Sequence, residues 1–214
     1  MMDALRYTLV TDGTSDRVLQ PVIDWVLARA ECVSFRGQWA NPRIFSDPNT
    51  NLAVRLRQVA ELYPCDLLFV HRDAEKAPRE RRVKEIEAAL RQVTASPPAI
   101  CLVPVRMAEA WLLFSVDALR TAAGNPNGTV AISLPRLERL EGHHDPKALL
   151  FSLLLEASEL TGRRRRRLQR DLTGLRLRLA ELLSDYSPLR KLVAFAAFEA
   201  DVVAVLQARG WARP

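Results

Sequence analysis

Five carboxylates stand just beyond three apolar stretches of this chain, and their type and placement suit metal chemistry. Asp12 and Asp16 follow Tyr7-Thr-Leu-Val-Thr11, Asp73 and Glu75 follow Leu67-Leu-Phe-Val-His71, and Glu109 comes shortly after Ile100-Cys-Leu-Val103. Carboxylates are hard oxygen donors of the kind Mg2+ or Mn2+ takes. A divalent ion so held can activate water and stabilise the leaving oxygen of a phosphodiester. Residues two apart in an extended segment point the same way, so Asp73 and Glu75 are expected to face one site. Asp12 is expected beside them, as ligand or acid/base, with Asp16 and Glu109 in support. Each acid also has a plainer role. Asp12 suits a turn or a helix cap, Asp16 complements a helix dipole, 73–75 suits a solvated loop, and Glu109 suits an ion pair with Arg106 or Arg72. Their joint position after apolar runs is what favours the metal.

These acids need a scaffold. Residues 5–11, 66–70 and 100–103 read as buried strands, and 33–35 as a short additional one. Helical spacing of apolar residues marks 15–30, 52–62 and 79–93, and another helix starts over 107–114. Residues 41–50 contain two prolines and read as a loop. Alternating strands and helices predict an α/β fold with an open, mainly parallel sheet. The carboxyl ends of its strands converge on the edge where such sheets bind ligands. Beyond Gly124 only helices are expected, over 145–155, 163–184 and 189–209. The chain therefore divides into an α/β part, 1–124, and a helical part, 125–214, packed on it.

Within 163–184, Leu168, Leu172, Leu175, Leu179 and Leu182 form one helical stripe, with Arg163, Arg166 and Arg170 opposite. Together with Arg167 they make a cationic face suited to phosphates without reading sequence. A solvated helix or an acidic protein partner is the plainer alternative, and the stripe could seat a homodimer rather than the core. The chain has 214 residues and a net charge of +6, and only 4 of its 31 basic residues are lysine. Arginine suits phosphate through its planar fork, although a GC-rich coding sequence enriches it equally well. Cys32, Cys65 and Cys101 have no metal-ligand spacing and read as buried, reduced thiols of a cytoplasmic protein. No signal segment and no apolar run of about 18 residues is present, so no membrane partner is expected. His71 is expected either to face the metal pocket or to be buried and hydrogen-bonded, His143-His144 to lie at the surface, and Trp111 in the core.

Thr11-Asp-Gly-Thr-Ser-Asp16 and His71-Arg-Asp-Ala-Glu75 resemble the two acidic motifs of Toprim domains, the catalytic modules of topoisomerases, primases and overcoming-lysogenization-defect nucleases. Pro104-Val-Arg-Met-Ala-Glu-Ala-Trp-Leu-Leu113, Asp145-Pro-Lys147, and Ser187-Pro-Leu-Arg190 with Phe195 and Phe198 extend the resemblance to a Toprim-like bacterial family of unknown function, often found in defence gene neighbourhoods. The resemblance implies a Mg2+- or Mn2+-dependent hydrolase, a nuclease on DNA or RNA, with Asp12, Asp73 and Glu75 catalytic and an antiviral role. It also implies phosphate contacts from Lys147, with Arg106 in a similar role, and an ATPase partner; this chain has no Walker motif, so ATP hydrolysis would need that other protein. Two departures stand out: Asp12 replaces the usual Glu, and Glu75 the usual second Asp. The alternatives are a non-catalytic module that binds nucleic acid or an ATPase, and an enzyme of nucleotide phosphotransfer or hydrolysis.

Overall fold

A computed structural model of the chain describes residues 4–45, 51–75 and 77–213. Four strands, β1 (Leu5–Val10), β2 (Phe35–Ala40), β3 (Leu67–His71) and β4 (Ala99–Leu102), form one all-parallel sheet in the order β2-β1-β3-β4. Eight α-helices flank it among the described residues: α1 (Gln20–Arg29), α2 (Leu52–Leu62), α3 (Arg79–Leu90), α4 (Val116–Ala122), α5 (Pro146–Ala157), α6 (Gly162–Gln169), α7 (Leu172–Leu182) and α8 (Val193–Arg209). The fold is α/β, as the alternating pattern predicts.

The pleat of β3 divides the core into two layers. Leu67 and Phe69 face one side with Tyr7, Leu9, Trp111, Phe195 and Phe198. Leu68 and Val70 face the other with Leu56, Val59 and Ile86 of α2 and α3. Both faces are covered, so the strand reads as a continuous apolar run rather than an alternation. The first layer includes Leu150 and Leu154 of α5, Leu175 and Leu179 of α7, and Phe195, Phe198 and Val202 of α8. The C-terminal helices therefore share a core with the sheet. Trp111 is fully buried, with its ring 5.2 Å from that of Phe195.

Several boundaries differ from the sequence reading. The expected strand at 33–35 begins at Phe35 and runs to Ala40 at the sheet edge. Gly37 pairs with Tyr7, and a Cβ at Gly37 would lie 2.2 Å from that ring. The expected helix over 15–30 opens as a 3-10 segment, Thr14–Leu19, before α1 begins. Residues 107–114 likewise form a 3-10 turn, Ala108–Leu112. The expected loop at 41–50 contains a 3-10 turn, Pro42–Ile44, and its remainder from 46 lies outside the described residues.

The single helix expected over 163–184 is two helices, α6 and α7, parted at Arg170 and Asp171. Leu175 and Leu179 are buried, Leu168 and Leu172 pack partly on the core, and Leu182 is exposed. Most of the stripe is thus core packing. No helix among the described residues is long and apolar enough to cross a membrane. Cys32, Cys65 and Cys101 are free thiols, and only Cys32 is buried.

Candidate active site at the carboxyl edge of the sheet

β1 and β3 are hydrogen-bonded neighbours, so the turns that follow them lie side by side. The pairing of β3 with β4 continues past both strands: the amides of Arg72 and Ala74 donate to Leu102 and Pro104. The Glu75 amide then donates to the Arg106 carbonyl (3.2 Å), and both residues have left-handed backbones, φ 53° and 66°. Such conformations cost side-chain-bearing residues of order 1–3 kcal/mol each and cluster at functional sites.

Asp12 is held by two arginines. Arg55 of α2 donates from Nη2 to its Oδ1, and Arg72 donates from Nε to its Oδ2 at 3.1 Å. Burial pushes the Asp12 carboxyl up, but the hydrogen bond and charge of Arg55, with Arg72, prevail and hold it below the usual carboxylate range. Arg72 also donates to Glu85 (3.1 Å), which accepts from Arg82 (2.8 Å). Arg82 in turn donates to the Asp73 carbonyl (3.1 Å) and the Glu75 carboxylate (3.4 Å). One chain of ion pairs therefore joins Asp12 to Glu75.

His71 is buried at the centre of this edge. Its Nε2 is 3.1 Å from Asp73 Oδ1, and its Nδ1 is 3.7 Å from Asp16 Oδ2 without a hydrogen bond of its own. Burial disfavours the imidazolium, yet the Asp73 hydrogen bond and charge, with Asp16 and Asp12, leave its pKa raised. Asp16 also accepts from the Gly13 amide (3.0 Å) and the Ser15 hydroxyl (3.0 Å), closing the turn after Asp12.

The structure thus brings Asp12, Asp16 and Asp73 around His71. It does not point Asp73 and Glu75 the same way. The backbone turns at Glu75, where the Ala77 amide donates to Ala74, and the Glu75 side chain lies against Arg82. Glu109 belongs to a different arrangement. It is buried in an ion pair with Arg176 of α7, rather than with Arg106 or Arg72. Arg176 also donates to the Ser15 carbonyl (2.8 Å), so the pair braces the turn after Asp12 from below.

Of the expected phosphate ligands, Arg106 sits at the edge by its backbone contact with Glu75. Lys147 lies on the first turn of α5, its ammonium 6.0 Å from the centre of the Phe151 ring. Asp145 caps that helix by accepting from the Ala148 amide (2.8 Å). His143 accepts from the Asp145 amide, and His144 is exposed. Arg163, Arg166, Arg167 and Arg170 are all exposed on or just after α6, without ion pairs among the described residues. Arg55, Arg82 and Glu85 were missed from sequence. The i, i+3 spacing of Arg82 and Glu85 was a local signal, whereas nothing near Arg55 points to Asp12.

The donor types at this edge fit a hard divalent cation. Asp73 is 28% exposed, and its Oδ2 has no donor among the described residues. Asp12 is 40% exposed at the end of the adjacent strand. As arranged, however, no three His, Cys, Asp or Glu side chains among the described residues are grouped to hold a metal, and guanidinium groups take both oxygens of Asp12. The chain matches no family model, no curated protein and no solved structure.

Proposed function

We propose that the chain carries out divalent-cation-dependent phosphodiester chemistry on DNA or RNA, as a Toprim-like nuclease, at the carboxyl edge of its sheet. The observation that carries this reading is the meeting of Asp12, Asp16 and Asp73 around buried His71 at two adjacent strand ends. Asp73 and Asp12 would hold Mg2+ or Mn2+ once Asp12 leaves its arginines, and Glu75 would join them only on leaving Arg82. When bound, such an ion polarises the phosphoryl oxygen and lowers the pKa of water.

The chain's own residues supply the remainder. His71, held between Asp73 and Asp16, fixes the Asp73 carboxylate. Arg72 and Arg82 would supply the fixed donors that stabilise charge building on a phosphoryl group. Arg163, Arg166, Arg167 and Arg170 hold the polymer backbone by charge. Asp12 can accept a proton only after it leaves Arg55 and Arg72.

That double grip favours a second reading, a module that binds nucleic acid without cutting it. The deciding assay is cleavage of single- and double-stranded DNA and RNA, and of free nucleotides, with Mg2+, Mn2+ or EDTA, wild type beside Asp73→Ala. Polymer cutting that needs the metal and is lost in Asp73→Ala supports the nuclease. Binding of polymer without cutting supports the module, and turnover of nucleotides alone overturns both.

A further inference from the structure

We propose that Arg55 and Arg72 form a phosphate clamp, and that the Asp12 carboxylate occupies it until a phosphate group displaces it. This deepens the phosphodiester reading of the same edge, but it concerns binding and needs no metal.

The two guanidinium groups come from separate elements, α2 and the end of β3, and each takes a different oxygen of one carboxylate. A carboxylate bridging two guanidinium forks presents two of the acceptors that a phosphate would present. The arginines are the better-anchored partners. Arg55 is 14% exposed and Arg72 28%, against 40% for Asp12. Arg72 is held from behind by Glu85, which Arg82 holds in turn. Asp12 can therefore swing towards solvent while the cations stay in place. Preorganised donors of this kind lower the ordering cost of binding.

The clamp also has more donors than a carboxylate can fill. The Arg55 Nε is buried without a partner, and a buried unpaired donor is costly. A terminal phosphate brings further acceptor oxygens and, as a dianion, more charge, whereas a backbone phosphodiester matches the two oxygens and single charge of the carboxylate it replaces. Either would replace Asp12 on the arginines and free that carboxylate beside Asp73. Substrate arrival would then assemble the acids, which explains how an edge meant for a cation can rest with its first acid neutralised.

The test is calorimetric titration in EDTA with inorganic phosphate, and with one short oligonucleotide carrying either a 5′-phosphate or a 5′-hydroxyl. Wild type is compared with Asp12→Asn, Asp12→Ala, Arg55→Gln and Arg72→Gln, each verified as folded by circular dichroism. Removing the competing carboxylate should tighten phosphate binding about tenfold in both Asp12 variants, and losing either arginine should weaken it by at least about tenfold. Tightening seen with both phosphate ligands marks a site for a terminal phosphate. Tightening seen equally with both oligonucleotides, but not with inorganic phosphate, marks a site for the backbone. Either result supports the clamp. Unchanged or weaker binding in both Asp12 variants overturns it. Because no metal is present, that failure is separate from a failure to cut.

Discussion

Replacing Arg176 by Met should destabilise the protein severely without touching the exposed acids. Arg176 is 1% exposed at its side chain and Glu109 5%, and they form a buried ion pair. Removing one partner of such a pair strands the other charge, at a cost of about 3–5 kcal/mol. The Ser15 carbonyl also loses its Arg176 donor, which adds about 1 kcal/mol. Against a total stability of roughly 5–15 kcal/mol this is a large fraction. With a urea slope of about 2–3 kcal/mol/M, the midpoint should fall by about 2 M. The assay is urea unfolding followed by circular dichroism. The companion is the double variant Arg176→Met with Glu109→Leu, which removes both charges and leaves mainly the Ser15 carbonyl unpaired. Its cost should drop to about 1–2 kcal/mol, a coupling of several kcal/mol between the two sites. An Arg176→Met cost below about 1 kcal/mol, or a double variant as costly as the two single variants together, would refute a buried ionic brace.

Two other outcomes follow from the same geometry. The folded pKa of His71 is raised, so the stability gained from its imidazolium is complete below its unfolded value of about 6.5 and is lost as pH rises through the folded value. Urea midpoints of wild type and His71→Asn measured between pH 5 and 9 should converge as pH increases, and a constant difference would show that His71 does not titrate against Asp73 and Asp16. Changing Arg163, Arg166, Arg167 and Arg170 together to Gln should leave the melting temperature nearly unchanged, because all four are exposed. It should also flatten the log–log salt dependence of duplex DNA binding by about 3–4, and an unaltered slope would remove α6 from the interface.

Legibility in the sequence followed the range of the interaction. β3 is buried on both faces, so Leu67-Leu-Phe-Val70 reads as a strand without help. β2 carries Arg36, Gly37 and Gln38 at the sheet edge, and neither burial nor alternation marks it. Leucine spacing across 168–182 is continuous, yet the helix breaks at Arg170 and Asp171, because periodicity records the buried face and not the backbone between two segments. The strand-end positions of Asp12 and Asp73 were readable since they depend only on their own strands. The left-handed turn at Glu75 was not, since it depends on a backbone bond to Arg106. The partners of Asp12 and Glu109 were least legible. Arg55 lies 43 positions from Asp12, and Arg176 lies 67 from Glu109.

The charges at the edge constrain how a polyanion could reach it. Arg55, Arg72 and Arg82, together with His71, face Asp12, Asp16, Asp73, Glu75 and Glu85. The carboxylates outnumber the cations, so the bare edge does not attract a distant phosphate backbone. The exposed arginines of α6 face no such compensation among the described residues. They also lead directly into α7, whose Arg176 holds the turn after Asp12. On the proposed reading, long-range capture would fall to α6, and exchange at Asp12 would be a short-range event that follows it. On this order, Gln substitutions on α6 should slow association with a polymer and leave the affinity for inorganic phosphate unchanged, whereas Arg72→Gln should weaken inorganic phosphate itself. Equal effects of both sets of substitutions on inorganic phosphate would show that the two cationic regions act as one site.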